Sequence, residues 1–123
     1  MIVPGTIVNV ADNSGARKAF CISVLDGSKR KYAITGGEVV VAVRGCRTGG
    51  VVKDGDVSRA VVVRTKKESK NDCGEPVRFS DNAVVLIDNN CNMRGSRVFG
   101  PISREVKKKG KYNKIISLAS EVI

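Results

Sequence analysis

The sequence predicts a mainly β domain, either a sandwich or a small barrel, and three observations support that fold class. Valine dominates the apolar residues, and its β-branched side chains occur in short runs. The chain's 13 glycines punctuate these runs with turns. Brief segments alternate apolar with polar residues at regular spacing, as strands of a sandwich or barrel do. A chain of 123 residues is expected to form one domain with its own core.

Five strands and two short helices are predicted along the chain. The strands cover residues 6–10, 18–25, 38–43, 56–65 and 83–88. The helices cover residues 103–109, with Ser103 as a possible N-cap, and 113–120. Alternation within the strands predicts the side chains that supply most of the buried barrel lining. These are Val8, Val10, Ile22, Val24, Val39, Val41, Val43, Val61, Val63, Val84 and Leu86.

The charge balance indicates a polyanionic partner. The chain has 22 Lys and Arg against 12 Asp and Glu, a formal net charge of +10. A small domain with this excess is typical of nucleic-acid binders, because each cation that neutralises a phosphate releases condensed counterions. The basic residues cluster at turns and strand ends. The chain contains no His, nucleophile elbow or phosphate-binding glycine loop, so an enzyme is not expected.

Neither a membrane nor a metal is expected to be involved. The longest aliphatic runs are only a few residues, and no signal or transit peptide is visible. The four cysteines, Cys21, Cys46, Cys73 and Cys91, form no Cys-x-x-Cys pair, and no His could complete a zinc site. We expect reduced thiols, with Cys21 in the core, and no zinc or other cofactor.

One segment carries a distinctive pattern. Three valines follow Ala60, a polar spacer ends at Gly74, and Phe79, Asn82 and an aliphatic run follow. The segment resembles the signature of the universal large-subunit ribosomal protein fourteen family. Cys73 departs from it, since the family has an acidic, amide or Ser residue there. Residues 10–17, 95–101 and 114–123 resemble other motifs of the family in the same order. The C-terminal loop, residues 95–101, is closer in sequence to the bacterial and organellar branch than to the eukaryotic cytosolic one, although Ser120 and the basic tract 107–111 depart from that branch.

The resemblance implies a five-stranded β-barrel of the oligonucleotide-binding or SH3-like sort. The barrel would occupy about residues 1–90 of a single domain, 1–123, with a projecting β-ribbon at about 64–79. A C-terminal loop and two short helices would follow at about 91–123. The implied function is that of a structural constituent of the large ribosomal subunit, in a bacterial cytoplasm or in a mitochondrial matrix or plastid stroma. It would bind large-subunit rRNA and help to form an intersubunit bridge with small-subunit rRNA.

Charge pattern and resemblance together give two sets of candidate residues. The RNA-binding set is Asn13, Ser14, Arg17, Lys18, Lys29, Arg30, Lys31, Arg44, Arg47, Lys53, Arg64, Lys66, Lys67, Lys70 and Arg78. The set facing the small subunit or a protein partner is Arg94, Ser96, Arg97 and Lys114. The resemblance also implies neighbouring large-subunit proteins of the L-three and L-nineteen types, and a ribosome-silencing factor that docks on the second set.

Alternative interpretations remain open from the sequence. The chain could be a free-standing single-strand RNA-binding module, or a protein-docking subunit whose charge serves only solubility. Such barrels bind single strands by stacking bases on exposed aromatic side chains. Only Tyr32, Phe99 and Tyr112 are predicted to be available for stacking, which favours recognition of folded RNA through phosphates. Arg97 could instead pair with Glu105 or Glu121 and hold the C-terminal segment.

Overall fold

Five strands of a computed structural model close into a barrel, which confirms the predicted mainly β fold. The structure describes residues 2–25, 32–46, 49–67, 69–70, 76–108 and 110–123. The barrel strands are β1 (Ile7–Val10), β2 (Ala16–Val24), β3 (Glu38–Cys46), β4 (Val57–Arg64) and β7 (Ala83–Ile87). Their order is β1-β2-β3-β4-β7.

Neighbouring barrel strands are antiparallel except where the barrel closes. There β1 pairs parallel with β7, with Asn9 opposite Ala83 and Val10 opposite Val84. The barrel therefore has no free edge between its first and last strands. Between β4 and β7 the chain forms a separate two-stranded antiparallel sheet of β5 (Ser69–Lys70) and β6 (Pro76–Val77), at the position of the predicted ribbon.

The helices end within two residues of their predicted limits. They are α1 (Arg104–Lys108) and α2 (Asn113–Leu118). Ser103 precedes α1, and its hydroxyl accepts a hydrogen bond from the backbone N–H of Glu105 at 3.3 Å, which confirms the predicted cap. In the described part of the chain, neither helix has the length or apolarity needed to cross a membrane.

The apolar residues form two cores, whereas the sequence predicted one barrel lining. The barrel interior contains Val8, Val41, Val84 and Leu86 among others. A second core lies between the outer face of β4 and β7 and the C-terminal segment. Val61 and Val63 belong to this second core, so their assignment to the barrel lining was wrong. Ala60 and Val62 line the barrel in their place.

Ile22 was also wrongly predicted to line the barrel. The register between β2 and β3 shifts between Cys21 and Ser23, which marks a β-bulge. Ala19 and Cys21 face the interior, so Ile22 points outward by ordinary alternation and is 43% exposed, and the bulge then returns Val24 to the interior. An irregularity of one residue thus reverses the inward and outward alternation along β2.

A matched pair of truncations tests the outward placement of Ile22. Val41→Ala removes fully buried methyl groups and is expected to lower the free energy of unfolding by about 1–3 kcal/mol. Ile22→Ala acts at a half-exposed site and is expected to cost less than about 1 kcal/mol. Urea unfolding of both variants measures the difference. Equal losses would contradict the outward placement of Ile22.

Candidate nucleic-acid interface

Two cations lie side by side on the outer surface of the barrel. Lys18 on β2 is the direct cross-strand partner of Arg44 on β3, and both side chains are exposed. Asn9 on β1 is the partner of Lys18 on its other side. Like charges directly opposite each other on a sheet are destabilising. The row Asn9–Lys18–Arg44 is therefore suited to hold an anion.

A polar groove of about 220 Å³ extends this row toward the ribbon. Lys18 and Lys66 both line it, together with Ile7, Asn9, Ser80, Asp81 and Asn82. The backbone N–H of Lys66 donates to Asn82 Oδ1 at 2.8 Å, and Asn9 Nδ2 donates to Asp81 Oδ2 at 3.1 Å. The first bond fixes the backbone from which Lys66 projects, and the second attaches β1 to the segment that precedes β7. The groove thus joins two predicted RNA-binding clusters, at Lys18 and Lys66, into one surface.

Arg64 has a structural role that the sequence did not predict. Its side chain is only 11% exposed and forms an ion pair with Asp81, in which Nε lies 3.1 Å from Oδ1 and Nη2 donates to Oδ2 at 3.3 Å. Its Nη1 donates to the carbonyls of Phe99 at 2.9 Å and Pro101 at 3.2 Å. Arg64 therefore attaches the C-terminal loop to β4, and its guanidinium is too buried in these contacts to bind a phosphate.

Gly100 explains how Arg64 reaches that loop. Its φ is +77°, a conformation that L side chains rarely adopt, and a Cβ there would lie 2.3 Å from Arg64 Nη1. Only glycine meets both requirements without a shift. The glycine of the family motif at this position is thus needed for packing.

Asn13 and Ser14 join the N-terminal loop to the rest of the chain. Asn13 Oδ1 accepts bonds from the backbone N–H groups of Ser96 at 2.7 Å and Arg97 at 2.9 Å, while its Nδ2 donates to Ser96 Oγ at 2.9 Å. Ser14 is fully buried, so its side chain cannot contact RNA in this structure. Asn13 therefore positions the loop that carries Arg97, while the Ser14 carbonyl accepts a hydrogen bond from the Val51 N–H at 2.8 Å.

Asp12 anchors the same loop to β7. Its Oδ1 accepts from the Ser14 hydroxyl at 2.6 Å and the Ser14 N–H at 3.1 Å, and its Oδ2 accepts from the Leu86 N–H at 3.0 Å. Burial raises the pKa of Asp12 above its ordinary 3.8, and these bonds oppose the rise. Since the folded pKa is raised, the contribution of Asp12 to stability falls as the pH rises through that pKa.

The joined loops bring Arg17 and Phe99 to one groove, of about 270 Å³. Asn9 and Asn13 also line it. The guanidinium of Arg97 lies over the Phe99 ring, 5.6 Å from its centroid, at the same loop. The basic residues at the start of β2 therefore lie near the C-terminal loop, although they are far apart in the sequence.

A family comparison now adds to this geometry. A sequence model of the ribosomal protein L14p/L23e family matches residues 1–123, the whole chain.

The chain belongs to the L14p/L23e family of ribosomal proteins.

Its role is therefore that of a structural component of the large ribosomal subunit, located in the ribosome and associated with rRNA and other ribosomal proteins. The family is structural and not enzymatic.

The remaining candidates of this L14p/L23e chain fall into four groups. Lys53, Lys67 and Arg78 have exposed side chains, as do Ser96, Arg97 and Lys114 of the partner set, while Arg94 is half-buried. Lys70 lies in β5, but its side chain is outside the described part. Four further candidates lie entirely outside the described residues: Lys29, Arg30, Lys31 and Arg47.

Glu38 positions α2, the helix that carries Lys114, and sequence analysis missed it. Its carboxylate accepts a hydrogen bond from the Tyr112 hydroxyl, forms an ion pair with Arg59, and accepts from Cys91 Sγ at 3.6 Å. Tyr112 directly precedes α2 and is buried, so its predicted availability for base stacking was wrong. The sequence carries no signal for this contact, which becomes visible only when the fold places Tyr112 beside Glu38.

The Glu38 cluster predicts a specific pH dependence of stability. Burial raises the pKa of Glu38, but hydrogen bonds from Tyr112 and Arg59 and the Arg59 charge outweigh it, and the pKa lies below its ordinary 4.5. The Glu38 contribution is therefore present above pH 4.5 and lost as the pH falls through the lowered pKa. Urea unfolding at a series of acidic pH values should show a smaller acid loss in Glu38→Gln than in the wild type. Parallel curves would contradict the prediction.

Three cysteines are described, and all three are free thiols. Cys21 is buried in the barrel, as predicted, and burial raises the pKa of its thiol. Burial also raises the pKa of Cys91, with the Glu38 charge adding to the effect. Cys73 lies outside the described residues. Among the residues that the structure describes, no three Cys, Asp or Glu side chains cluster as metal ligands.

Proposed function

We propose that this chain binds large-subunit rRNA by phosphate neutralisation at a surface made of Arg17, Lys18, Arg44, Lys66, Lys67 and Arg78. The observation that carries this proposal is the Asn9–Lys18–Arg44 row and its extension through the groove to Lys66. Strand register and backbone hydrogen bonds hold these cations on a rigid scaffold, so their spacing is set before binding. Contacts of this kind fix the orientation of folded RNA without reading its sequence.

Photocrosslinking tests the surface directly. Large subunits containing the tagged chain are irradiated, and the crosslinked peptides are identified by mass spectrometry. We expect most RNA crosslinks at the start of β2, the end of β3 and the base of the ribbon. Crosslinks confined to α1 and α2 would overturn the proposed surface, while leaving membership of the ribosome intact.

A second surface is proposed to face the small subunit and to contribute to an intersubunit bridge. It comprises the loop with Ser96 and Arg97, together with Lys114 in the first turn of α2, and all three side chains are exposed. Asn13 holds the loop through two backbone bonds, and Glu38 holds the start of α2 through Tyr112. Hydrogen bonds thus hold this surface at two points. Its three exposed side chains take no part in packing the barrel.

The same second surface is the proposed docking site of a ribosome-silencing factor, in a bacterium or an organelle. Neighbouring large-subunit proteins of the L-three and L-nineteen types are the further proposed partners. These assignments follow from the family resemblance of residues 95–101 and 114–123 and from the exposure of Arg97 and Lys114.

Charge reversal tests this second surface. Arg97→Glu with Lys114→Glu is expected to leave incorporation into large subunits intact, because neither side chain is buried. Subunit joining, or binding of a silencing factor, should weaken by about tenfold because the reversed charges repel the former partner. Sucrose-gradient profiles measure both effects. Loss of incorporation itself would instead assign these residues to rRNA binding or folding.

A further inference from the structure

A row of apolar side chains crosses four strands on the outside of the barrel. Ile7 pairs with Phe20, Phe20 with Ala42, and Ala42 with Val57. All four alternate with residues that line the interior, so they share the outer face. Ile7 is 54% exposed and Val57 63% exposed, at the two ends of the row. Phe20 and Ala42, between them, are half-buried, so the row offers a partly exposed apolar surface next to the polar residues of the same strands.

The apolar row lies directly beside the cationic row. Lys18 and Phe20 are two residues apart on one face of β2, which separates them by about 7 Å along the strand. Arg44 stands in the same relation to Ala42 on β3. The Arg44 guanidinium lies over the Phe20 ring, 4.9 Å from its centroid, and so links the two rows. A guanidinium supported by a ring on one face can stack with a nucleobase on its other face.

We infer that this surface takes one unpaired RNA nucleotide, with its phosphate between Lys18 and Arg44 and its base against the layer formed by Arg44 and Phe20. This inference rests on the proposed rRNA-binding function and adds a base contact to it. Charge favours RNA over a basic ribosomal protein as the occupant, because two adjacent cations would repel such a partner. The RNA backbone next to this nucleotide would lie against polar groups, namely the Asn9 side chain, which is hydrogen-bonded to Asp81, and the groove toward Lys66.

The test uses the full chain and two matched RNA probes, a fully paired duplex and the same duplex with one bulged adenosine. The wild type is expected to bind the bulged RNA about five- to a hundredfold more tightly in a fluorescence anisotropy titration. Arg44→Lys keeps the charge but removes the planar group. It should abolish this preference while leaving the slope of log affinity against log salt unchanged. Phe20→Ala should also lose the preference, whereas Phe20→Tyr should keep it.

Each outcome separates this inference from the proposed function. Equal, salt-dependent binding of both RNAs by the wild type would overturn the nucleotide site and leave phosphate binding intact. Retention of the preference by Arg44→Lys would also overturn it. Binding of neither RNA would remove the proposed function as well. Protection of Lys18 and Arg44 from chemical modification gives a further control. If polyglutamate protected both residues and neither RNA probe did, the surface would be a protein-docking face, and the inference would fall. Thermal unfolding of Phe20→Ala establishes that the variant is folded.

Discussion

Replacing Lys18, Arg44 and Lys66 together with Ala is expected to weaken binding to large-subunit rRNA by on the order of a hundredfold. The three cations lie on one surface, joined by cross-strand register and by the groove lined by Lys18 and Lys66. Each phosphate contact adds about 0.7–0.9 to the slope of log affinity against log salt. The triple variant should therefore lower the magnitude of that slope by about 2–3.

A charge-matched control separates this surface from net charge. Replacing Arg104, Lys107 and Lys111 with Ala removes the same charge at exposed positions near the helices. This control should retain most of the wild-type slope, because long-range attraction alone is screened within about 10 Å at ordinary salt. Equal slopes in the two triple variants would show that the barrel surface has no special role.

Asp12→Ala is expected to lower the free energy of unfolding by about 2–4 kcal/mol. The change removes the acceptor for Leu86 N–H and for both Ser14 donors, in a site that water does not reach. A buried donor left without a partner lowers the free energy of unfolding by more than its hydrogen bond had contributed. The loop that carries Asn13 should then loosen, and with it the attachment of Arg97.

Asp88→Ala provides the control for Asp12. Asp88 also accepts backbone N–H groups, from Asn90 at 2.8 Å and Asn92 at 3.0 Å, but it lies in an exposed turn where water can replace it. Its loss should cost about 1 kcal/mol or less in the same urea unfolding experiment. A comparable loss in the two variants would mean that burial of Asp12 does not determine its effect.

The strands could be predicted from sequence because they are short and locally patterned, whereas closure into a five-stranded barrel rather than a sandwich was implied by the family resemblance. The division of the valines between two cores could not, since consecutive buried residues in β4 and β7 give no sign of which face is inside. Val62 is buried inside the barrel, whereas Val61 is buried on its outer face by residues that follow position 90. The bulge at Ile22 likewise depends on pairing with β3 and leaves no local signal.

The sequence predicted that the chain has a basic surface, but it did not predict which basic residues are available for contacts. Lys18, Arg44 and Lys66 keep exposed side chains, as the positions of basic residues at strand ends indicated. Arg64 looked equivalent in sequence, yet it binds carbonyls that lie more than thirty residues later. Asn13 similarly meets Ser96 across the chain. Polar residues that fasten loops together are indistinguishable from ligand-binding residues until the loops are placed.

Co-sedimentation with large ribosomal subunits through a high-salt wash tests the central claim most directly. A tagged chain expressed in cells should comigrate with the large subunit at near-equal stoichiometry and remain there after the wash, because a structural component of the subunit associates with both rRNA and other ribosomal proteins. The triple variant at Lys18, Arg44 and Lys66 should be depleted from the washed subunits, while the Arg104, Lys107 and Lys111 control should be retained. Recovery of the wild-type chain in the free protein fraction, with no preference for large subunits, would contradict the account.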